Sequence, residues 1–291
     1  MPEIAWLFPG QGSQAVGMDA DLAATDIGKD RFDRAHTLLG WSVPEACNGD
    51  ETQLSRTLYT QPCLYTVETI LVDLLRQAGR EPDIVAGHSL GEYVALYAAG
   101  VFDFETGLKL VKYRSELMDS ASGGQMIALM KFDRAVLENA IANSAEVVLA
   151  NDNSDGQVVI SGSPEAVDEI ANQVQAKRAI KLNVSGAFHS PMMTEAAQQF
   201  QQLLETVTFA DAKMPVVSNV EPEPTTSGTL LKTRLSRQMT GSVRWRETQM
   251  HLVETGTKTA VEVGPGKVLA GLMKRSFRQV TVENVSAAAD I

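Results

Sequence analysis

Apolar residues in this chain form short continuous runs that alternate with stretches of helical spacing. The runs that predict buried strands lie at residues 4–8, 84–86, 215–220 and 260–263. The stretches that predict helices lie at residues 18–40, 61–79, 104–120 and 196–207, with a further helix from about 230 and a final one after 266. Strands that alternate with helices are typical of a mostly parallel α/β sheet.

The pattern changes after Gly123-Gly124, where the predicted elements become shorter. They are strand 126–130, helix 134–142, strands 147–150 and 158–161 around a turn at 151–156, a helix from Ser163 to about 175, and strand 179–184. The order β-α-β-β-α-β is that of a ferredoxin-like unit. We therefore expect a large hydrolase-like α/β domain from residues 1–123 and 190–291, with a small ferredoxin-like α+β domain inserted at 124–189.

The run at residue 84 ends in a Gly-x-Ser-x-Gly pattern, Gly87-His88-Ser89-Leu90-Gly91, and a helical pattern follows at once. Strand, sharp turn and helix together indicate a nucleophile elbow that exposes the Ser89 hydroxyl. The two glycines permit close approach of neighbouring backbone, and the N–H of Leu90 lies where an oxyanion would form. A glycine-rich connection around a buried serine is the alternative that these residues leave open.

Two other segments offer groups that serine chemistry needs. The loop after the first strand has glycines at 10 and 12, which expose the backbone N–H of Gln11 as an oxyanion site requires, although a plain turn has the same pattern. Of the four histidines, His189 is the best candidate for the base of Ser89, because it lies where the insert returns to the large domain. A structural histidine is the alternative.

Arg114 lies within the apolar stripe of helix 104–120, four residues after Leu110 and three before Leu117. A guanidinium that faces a core is costly unless it is paired. Two interpretations stay open. Arg114 forms an ion pair with an acid from elsewhere in the chain, or it binds a carboxylate of a ligand, which the planar guanidinium fits with two hydrogen bonds.

Composition excludes several classes of protein. The chain is 44% hydrophobic and 21% charged, as globular proteins are, and no apolar run reaches the ~20 residues of a membrane-spanning helix. Cys47 and Cys63 lack the spacing of metal ligands, so we expect free thiols in the reducing cytoplasm and no metal.

Charge is unevenly distributed along the chain. The net charge of −11 argues against nucleic acid as a partner. Yet the segment from Lys232 to Arg278 has ten basic and three acidic residues, a net of +7. This asymmetry suggests an acidic partner for the C-terminal part, and scattered solvated charges are the alternative.

The sequence resembles the malonyl-CoA:acyl carrier protein transacylases of bacterial fatty acid synthesis over nearly its whole length. The segments that carry the resemblance are Phe8-Pro9-Gly10-Gln11-Gly12-Ser13-Gln14, Gly87-His88-Ser89-Leu90-Gly91-Glu92-Tyr93, Ala187-Phe188-His189-Ser190 and Glu262-Val263-Gly264-Pro265-Gly266-Lys267. Four motifs in the same order are far more specific than any one of them.

The resemblance implies a role for each matching position. Ser89 and His189 match the family's nucleophile and base, Arg114 its malonate-binding arginine, and Gln11 its oxyanion-hole residue. Gln238 matches, more loosely, the residue whose backbone carbonyl orients the histidine.

A second implication concerns substrates and partners. Leu90 and Phe188 resemble the residues of malonyl-selecting members. The implied reaction is a ping-pong transfer from malonyl-CoA through a malonyl-serine to the phosphopantetheine thiol of acyl carrier protein, with no cofactor besides the CoA thioester substrate. Carrier proteins of this kind are acidic, so Lys274 and Arg275 are candidates for the docking surface.

Three other functions remain open on the sequence. The first is a discrete acyltransferase of a polyketide synthase or malonate decarboxylase system, which would use the same chemistry with another carrier. The second is a serine thioesterase or esterase, although nothing acidic stands near His189 to complete a triad. The third is a carrier-binding protein without catalysis, against which the intact set of Ser89, His189 and Arg114 argues.

Overall fold

The computed structural model describes residues 2–291. Within them the strands are β1 (Ile4–Phe8), β2 (Ile84–Gly87), β3 (Gln125–Met130), β4 (Val147–Ser154), β5 (Gln157–Gly162), β6 (Arg178–Lys181), β7 (Val216–Val217), β8 (Thr259–Val263) and β9 (Thr281–Val285). They form a parallel sheet of order β7-β2-β1-β8-β9 and an antiparallel sheet of order β4-β5-β3-β6.

Helices cover both sheets. They are α1 (Asp26–Leu39), α2 (Val43–Cys47), α3 (Glu51–Leu54), α4 (Thr57–Gln77), α5 (Gly91–Ala98), α6 (Phe104–Ser120), α7 (Arg134–Ala142), α8 (Pro164–Val174), α9 (Thr194–Glu205), α10 (Gly228–Gln238), α11 (Trp245–Glu254) and α12 (Val268–Ser276). Single 3-10 turns lie at Leu22–Ala24, Pro191–Met193 and Ala288–Asp290. Within residues 2–291, every helix is too short or too polar to cross a bilayer.

Strand β1 lies in the middle of the parallel sheet, and its side chains enter the core on both faces. Trp6 and Phe8 belong to the core on one face, and Ala5 and Leu7 to the core on the other. A parallel sheet covered on both sides needs such continuous apolar strands. Because Phe8 pairs with Gly87, the loops that follow β1 and β2 leave the same edge of the sheet side by side.

The antiparallel sheet has the strand order of a ferredoxin-like unit, with β3 between β5 and β6. Apolar residues of β3 to β5 form a core of their own with α7 and α8. The predicted fold class, a mostly parallel α/β sheet with a separate ferredoxin-like sheet, is confirmed. The domain boundaries at residues 123/124 and 189/190 stay predictions.

One predicted helix start was wrong. Helix α4 begins at Thr57, so Pro62 lies inside the helix rather than at its opening turn. Proline removes the N–H that would bond the Leu58 carbonyl, and this oxygen lies instead 3.5 Å from the Ser115 hydroxyl. The proline signal for a first turn misled here because the helix begins at Thr57, five residues before the proline.

Other differences concern lengths and missed elements. Strand β4 continues to Ser154 through two register shifts, so the predicted turn at 151–156 shortens to Asp155-Gly156, a pair suited to a two-residue hairpin. Strand β6 ends at Lys181 rather than 184, and α1 occupies only the second part of 18–40. Helices α2 and α3 and strand β9 were not predicted.

Candidate active site

Ser89 lies at a strained turn between β2 and α5. Its φ of 52° is in the left-handed region, which is costly for a residue other than glycine. A Cβ on Gly87 would lie 1.9 Å from the backbone carbonyl carbon of Gly91, and one on Gly91 would lie 2.0 Å from the carbonyl oxygen of Phe8. Only glycine permits this packing of three backbone segments, which holds the serine in place.

The structure brings His189 into contact with Ser89, with 2.8 Å between Nε2 and Oγ. On the other side of the ring, Nδ1 lies 2.9 Å from the carbonyl oxygen of Gln238 and 3.1 Å from that of Gly241. Because carbonyl oxygens only accept, Nδ1 carries the proton and Nε2 is free to accept from the Ser89 hydroxyl. Backbone carbonyls thus occupy the position of the carboxylate in a Ser-His-Asp triad.

The environment keeps this imidazole neutral. Burial lowers the pKa of His189, and the nearby charge of Arg114 lowers it further, from 6.5 to about 3. A neutral ring at neutral pH has the lone pair that a general base needs.

Two backbone N–H groups are candidates for an oxyanion hole, that of Leu90, which follows Ser89 in sequence, and that of Gln11, on the loop after β1. Within residues 2–291, neither Gln11 nor Leu90 uses its N–H for a hydrogen bond to protein. The N–H of Ser89 itself is engaged, because it donates to Oδ1 of Asn219 at 2.7 Å. The Gln11 side chain donates to Thr57 Oγ1 at 3.1 Å and so fixes its loop against α4. This arrangement suits an oxyanion hole made of the Gln11 and Leu90 amides.

Arg114 is fully buried on α6 and donates to neutral groups. Its Nη1 lies 2.7 Å from Oε1 of Gln61, and its Nη2 lies 3.0 Å from Ser89 Oγ and 3.2 Å from Oε1 of Gln238. In the described part of the chain its hydrogen-bond acceptors therefore carry no charge, and the ion pair that the sequence left open is not formed. A buried cation with only neutral partners is suited to a ligand carboxylate.

Sequence reasoning missed three residues that support this cluster, Gln61, Glu92 and Asn219. Two signals were present. Glu92 is an acid in the first turn of a helix that is otherwise apolar, and Asn219 follows β7 at the carboxyl edge of the sheet, where ligand sites of α/β proteins lie. Both are buried, Glu92 to 1% exposure and Asn219 to 0%.

Five of the ten basic residues in the C-terminal segment form ion pairs, which are Arg234 and Arg237 with Glu221, Arg244 with Glu247, Arg246 with Asp152, and Lys258 with Glu3. Lys274 and Arg275 on α12 are exposed, and in residues 2–291 neither forms an ion pair. They line separate clefts, Lys274 beside Lys267 and Arg275 beside Lys131. Within residues 2–291, four of the five basic residues of this segment that form no ion pair lie on or next to α12, which are Lys267, Lys274, Arg275 and Arg278.

Comparison with known proteins gives a family match over almost the entire chain. The family model described as acyl transferase domain matches residues 5–291. The malonyl CoA-acyl carrier protein transacylase of Synechocystis sp. is 58% identical over 287 residues, which cover 99% of this chain and 98% of that protein. A crystal structure of the Synechocystis enzyme has a TM-score of 0.98, with coverage of 99% of this chain and 98% of that one.

Two further relatives come from polyketide systems. The polyketide biosynthesis malonyl CoA-acyl carrier protein transacylase of Bacillus subtilis is 40% identical, over 94% of this chain and 96% of its own length. A malonyl-transacylase solved in complex with its type II PKS acyl-carrier protein has a TM-score of 0.94 at 37% identity, over 99% of this chain and 97% of that one.

Proposed function

The chain belongs to the acyl transferase domain family, and on this premise we propose that it transfers malonyl groups from malonyl-CoA to acyl carrier protein. The observation that carries the proposal is the contact of Ser89 Oγ with both His189 Nε2 and the buried guanidinium of Arg114. A nucleophile, a neutral base and a cation without a protein carboxylate are the groups that a malonyl thioester requires. The Synechocystis relative, which is 58% identical, carries the same activity in its name.

In the first half-reaction, Ser89 Oγ attacks the thioester carbonyl carbon while His189 Nε2 takes its proton. The N–H groups of Gln11 and Leu90 donate to the oxyanion of the tetrahedral intermediate. The C–S bond then breaks, and the CoA thiolate leaves with the proton from His189. The product is malonyl-Ser89.

In the second half-reaction, the phosphopantetheine thiol of the carrier loses its proton to His189 and attacks the ester. Collapse of the intermediate returns the proton to Ser89 Oγ. Throughout, Arg114 binds the distal carboxylate, so an acetyl group, which lacks that carboxylate, loses the charge-assisted hydrogen bonds. Within this proposal, Gln238 orients His189 through its backbone carbonyl.

The proposal includes no cofactor and no metal, because the CoA thioester is itself the activated substrate. It also places the protein in the cytoplasm, where Cys47 and Cys63 would remain the free, buried thiols that the structure shows. Fatty acid synthesis is the pathway we propose. The polyketide relatives make a polyketide carrier the competing partner, and transfer rates to the two carriers measured side by side distinguish them.

The experiment that tests the activity is intact-protein mass spectrometry after brief incubation with malonyl-CoA or acetyl-CoA, without carrier. We expect a malonyl adduct on the wild type, a much weaker acetyl adduct, and none in Ser89→Ala. The His189→Ala variant is expected to load malonyl about 10²- to 10⁴-fold more slowly, as loss of a general base predicts. CoA release without an adduct would indicate a hydrolase, and neither adduct nor release would indicate a binding protein.

A further inference from the structure

Beneath Ser89, the buried side chain of Glu92 joins three elements of the fold. It lies in the first turn of α5. Its Oε2 accepts a hydrogen bond of 2.7 Å from the side-chain N–H of Gln238, the last residue of α10. The same oxygen accepts a hydrogen bond of 3.2 Å from the backbone N–H of Asn219, which lies in the loop after β7. The reaction sequence above assigns no part to this carboxylate.

The Gln238 amide has a different partner at each end. Its oxygen accepts from Arg114 Nη2 at 3.2 Å, whereas its nitrogen donates to Glu92 and, at 2.9 Å, to the carbonyl of Ser89. If the amide were turned over, its NH2 group would face the guanidinium and its oxygen would face a carboxylate. Both contacts would be repulsive, so Glu92 fixes the orientation in which Gln238 accepts from Arg114.

Asn219 connects the same carboxylate to the nucleophile. Its backbone binds Glu92, while its side chain accepts from the Ser89 N–H at 2.7 Å and donates to the Gly87 carbonyl at 2.6 Å. Glu92 thus helps to hold the strained turn at Ser89 through its hydrogen bond to Asn219.

Charge supports the same assignment. The pKa of Glu92 is raised overall by its burial, and the donors Gln238 and Asn219 and the charge of Arg114 limit that rise. The Glu92 charge in turn favours the protonated form of Arg114, whose pKa burial lowers. The Glu92 carboxylate thus stabilises the buried Arg114 cation although the Gln238 amide lies between them. The guanidinium itself has no direct contact with that carboxylate.

We propose that Glu92 is a positioning residue for malonyl selectivity, which acts by orienting the Gln238 amide so that Arg114 is held ready for the substrate carboxylate. This inference rests on the proposed function. It predicts that malonyl selectivity depends on the position of the Glu92 carboxylate as well as on its negative charge. A carboxylate moved from position 92 to position 238 would bind Arg114 directly and compete with malonyl.

The test uses the full chain with three changes, Glu92→Gln, the swap Glu92→Gln/Gln238→Glu, and Glu68→Gln as the matched control. Glu68 is another fully buried carboxyl, and in residues 2–291 its side chain has no hydrogen-bond partner. Its substitution therefore replaces a buried carboxyl without breaking a hydrogen bond to Gln238, Asn219 or Arg114. Loading rates with malonyl-CoA and acetyl-CoA give the selectivity ratio, and thermal unfolding reports whether each variant is folded. The swap retains one acid and one amide at the two positions, so it tests the inference even if Glu92→Gln does not fold.

We expect the malonyl-to-acetyl ratio to fall about tenfold in Glu92→Gln and at least as far in the swap, with Glu68→Gln unchanged. A wild-type ratio in the swap or in folded Glu92→Gln overturns the inference. So does an equal loss of malonyl and acetyl loading, which would indicate a scaffold role without selectivity. If the wild-type protein itself forms no malonyl adduct, the proposed function fails instead, and the two failures are thereby separated.

Discussion

Two arginines, Arg114 and Arg234, are buried almost completely in this protein, with exposures of 0% and 2%. They differ in what surrounds them. Arg234 forms an ion pair with Glu221 at 2.8 Å and donates to the Glu223 carbonyl at 2.6 Å. Arg114 donates to two amide oxygens and a hydroxyl, and the carboxylate of Glu92 acts on it only through Gln238.

The comparison shows that two equally buried arginines can differ in whether a protein carboxylate pairs with them, and under the proposed function Arg114, which lacks such a direct pair, binds the ligand. An ion pair within the protein satisfies Arg234, whose charge then serves the fold. Neutral acceptors leave most of the electrostatic attraction of Arg114 available to a carboxylate that arrives later. The exposed cations of α12 form a third case, in which water screens the charge and each residue contributes little.

The largest effect is expected from removing the two buried arginines in turn. Arg114→Ala should lower the rate of malonyl loading roughly 10²- to 10³-fold and leave the slow acetyl loading nearly unchanged, because it removes a buried partner of the substrate carboxylate. Arg234→Ala should lower the free energy of unfolding and keep the malonyl-to-acetyl ratio. Adduct formation and urea unfolding measure the two quantities. Equal changes of the ratio in both variants would contradict the distinction.

An intermediate effect is expected from pH, because burial and, after it, the charge of Arg114 lower the pKa of His189. The pKa of His189 in the folded protein, about 3, lies below the ordinary 6.5. Between these pH values His189 is therefore protonated in the unfolded chain and neutral in the folded protein. The stability contribution is therefore complete above pH 6.5 and declines as the pH falls toward 3. Between pH 6.5 and 5 the loss is about 2 kcal/mol.

Urea unfolding of the wild type and His189→Gln at pH 7.5 and 5.0 checks this prediction. The wild type should lose about 2 kcal/mol more than the variant on acidification. The buried His88, whose pKa is also lowered by burial, remains in both proteins and does not affect the difference. Parallel losses in the two proteins would show that His189 is not protected from protonation.

The smallest effect is expected from the exposed basic residues of α12. Lys274→Glu/Arg275→Glu should raise the KM for acyl carrier protein a few-fold, more at low salt than at high salt, and leave loading from malonyl-CoA unchanged. Lys29→Glu/Lys109→Glu makes the same change in net charge on exposed positions of α1 and α6 and serves as the control. A change in stability alone, or an equal rise of KM in the control, would show that α12 does not bind the carrier.

Much of the fold was predictable from local pattern. Helix α6 was predicted with its observed bounds, because an apolar stripe of period 3.6 between Asp103 and the glycines at 123 and 124 leaves little choice. The nucleophile elbow was predictable because only glycine tolerates the contacts at positions 87 and 91. Strand β9 was missed because its residues are only partly buried, and the start of α4 was predicted too late because a proline signal was given too much weight.

The sequence by itself determined the chemistry of the candidate site. Ser89, His189 and Gln11 were identified from motifs, and Arg114 from its place in an apolar helical stripe and from the family resemblance; together these residues fix which functional groups the chain carries. Motifs report residues that are close in sequence, and the roles of these four remain part of the proposal until loading is measured.

Only the tertiary structure decided which groups meet and in what state. The carbonyl of Gln238 reaches His189 across 49 positions of sequence, and the Gln238 amide reaches Glu92 across 146. No local pattern encodes such contacts, because the packing of α5, α10 and the loop after β7 brings them together. The absence of a carboxylate in direct contact with Arg114 within residues 2–291 is likewise a property of that packing, and the proposed binding of a ligand carboxylate depends on it.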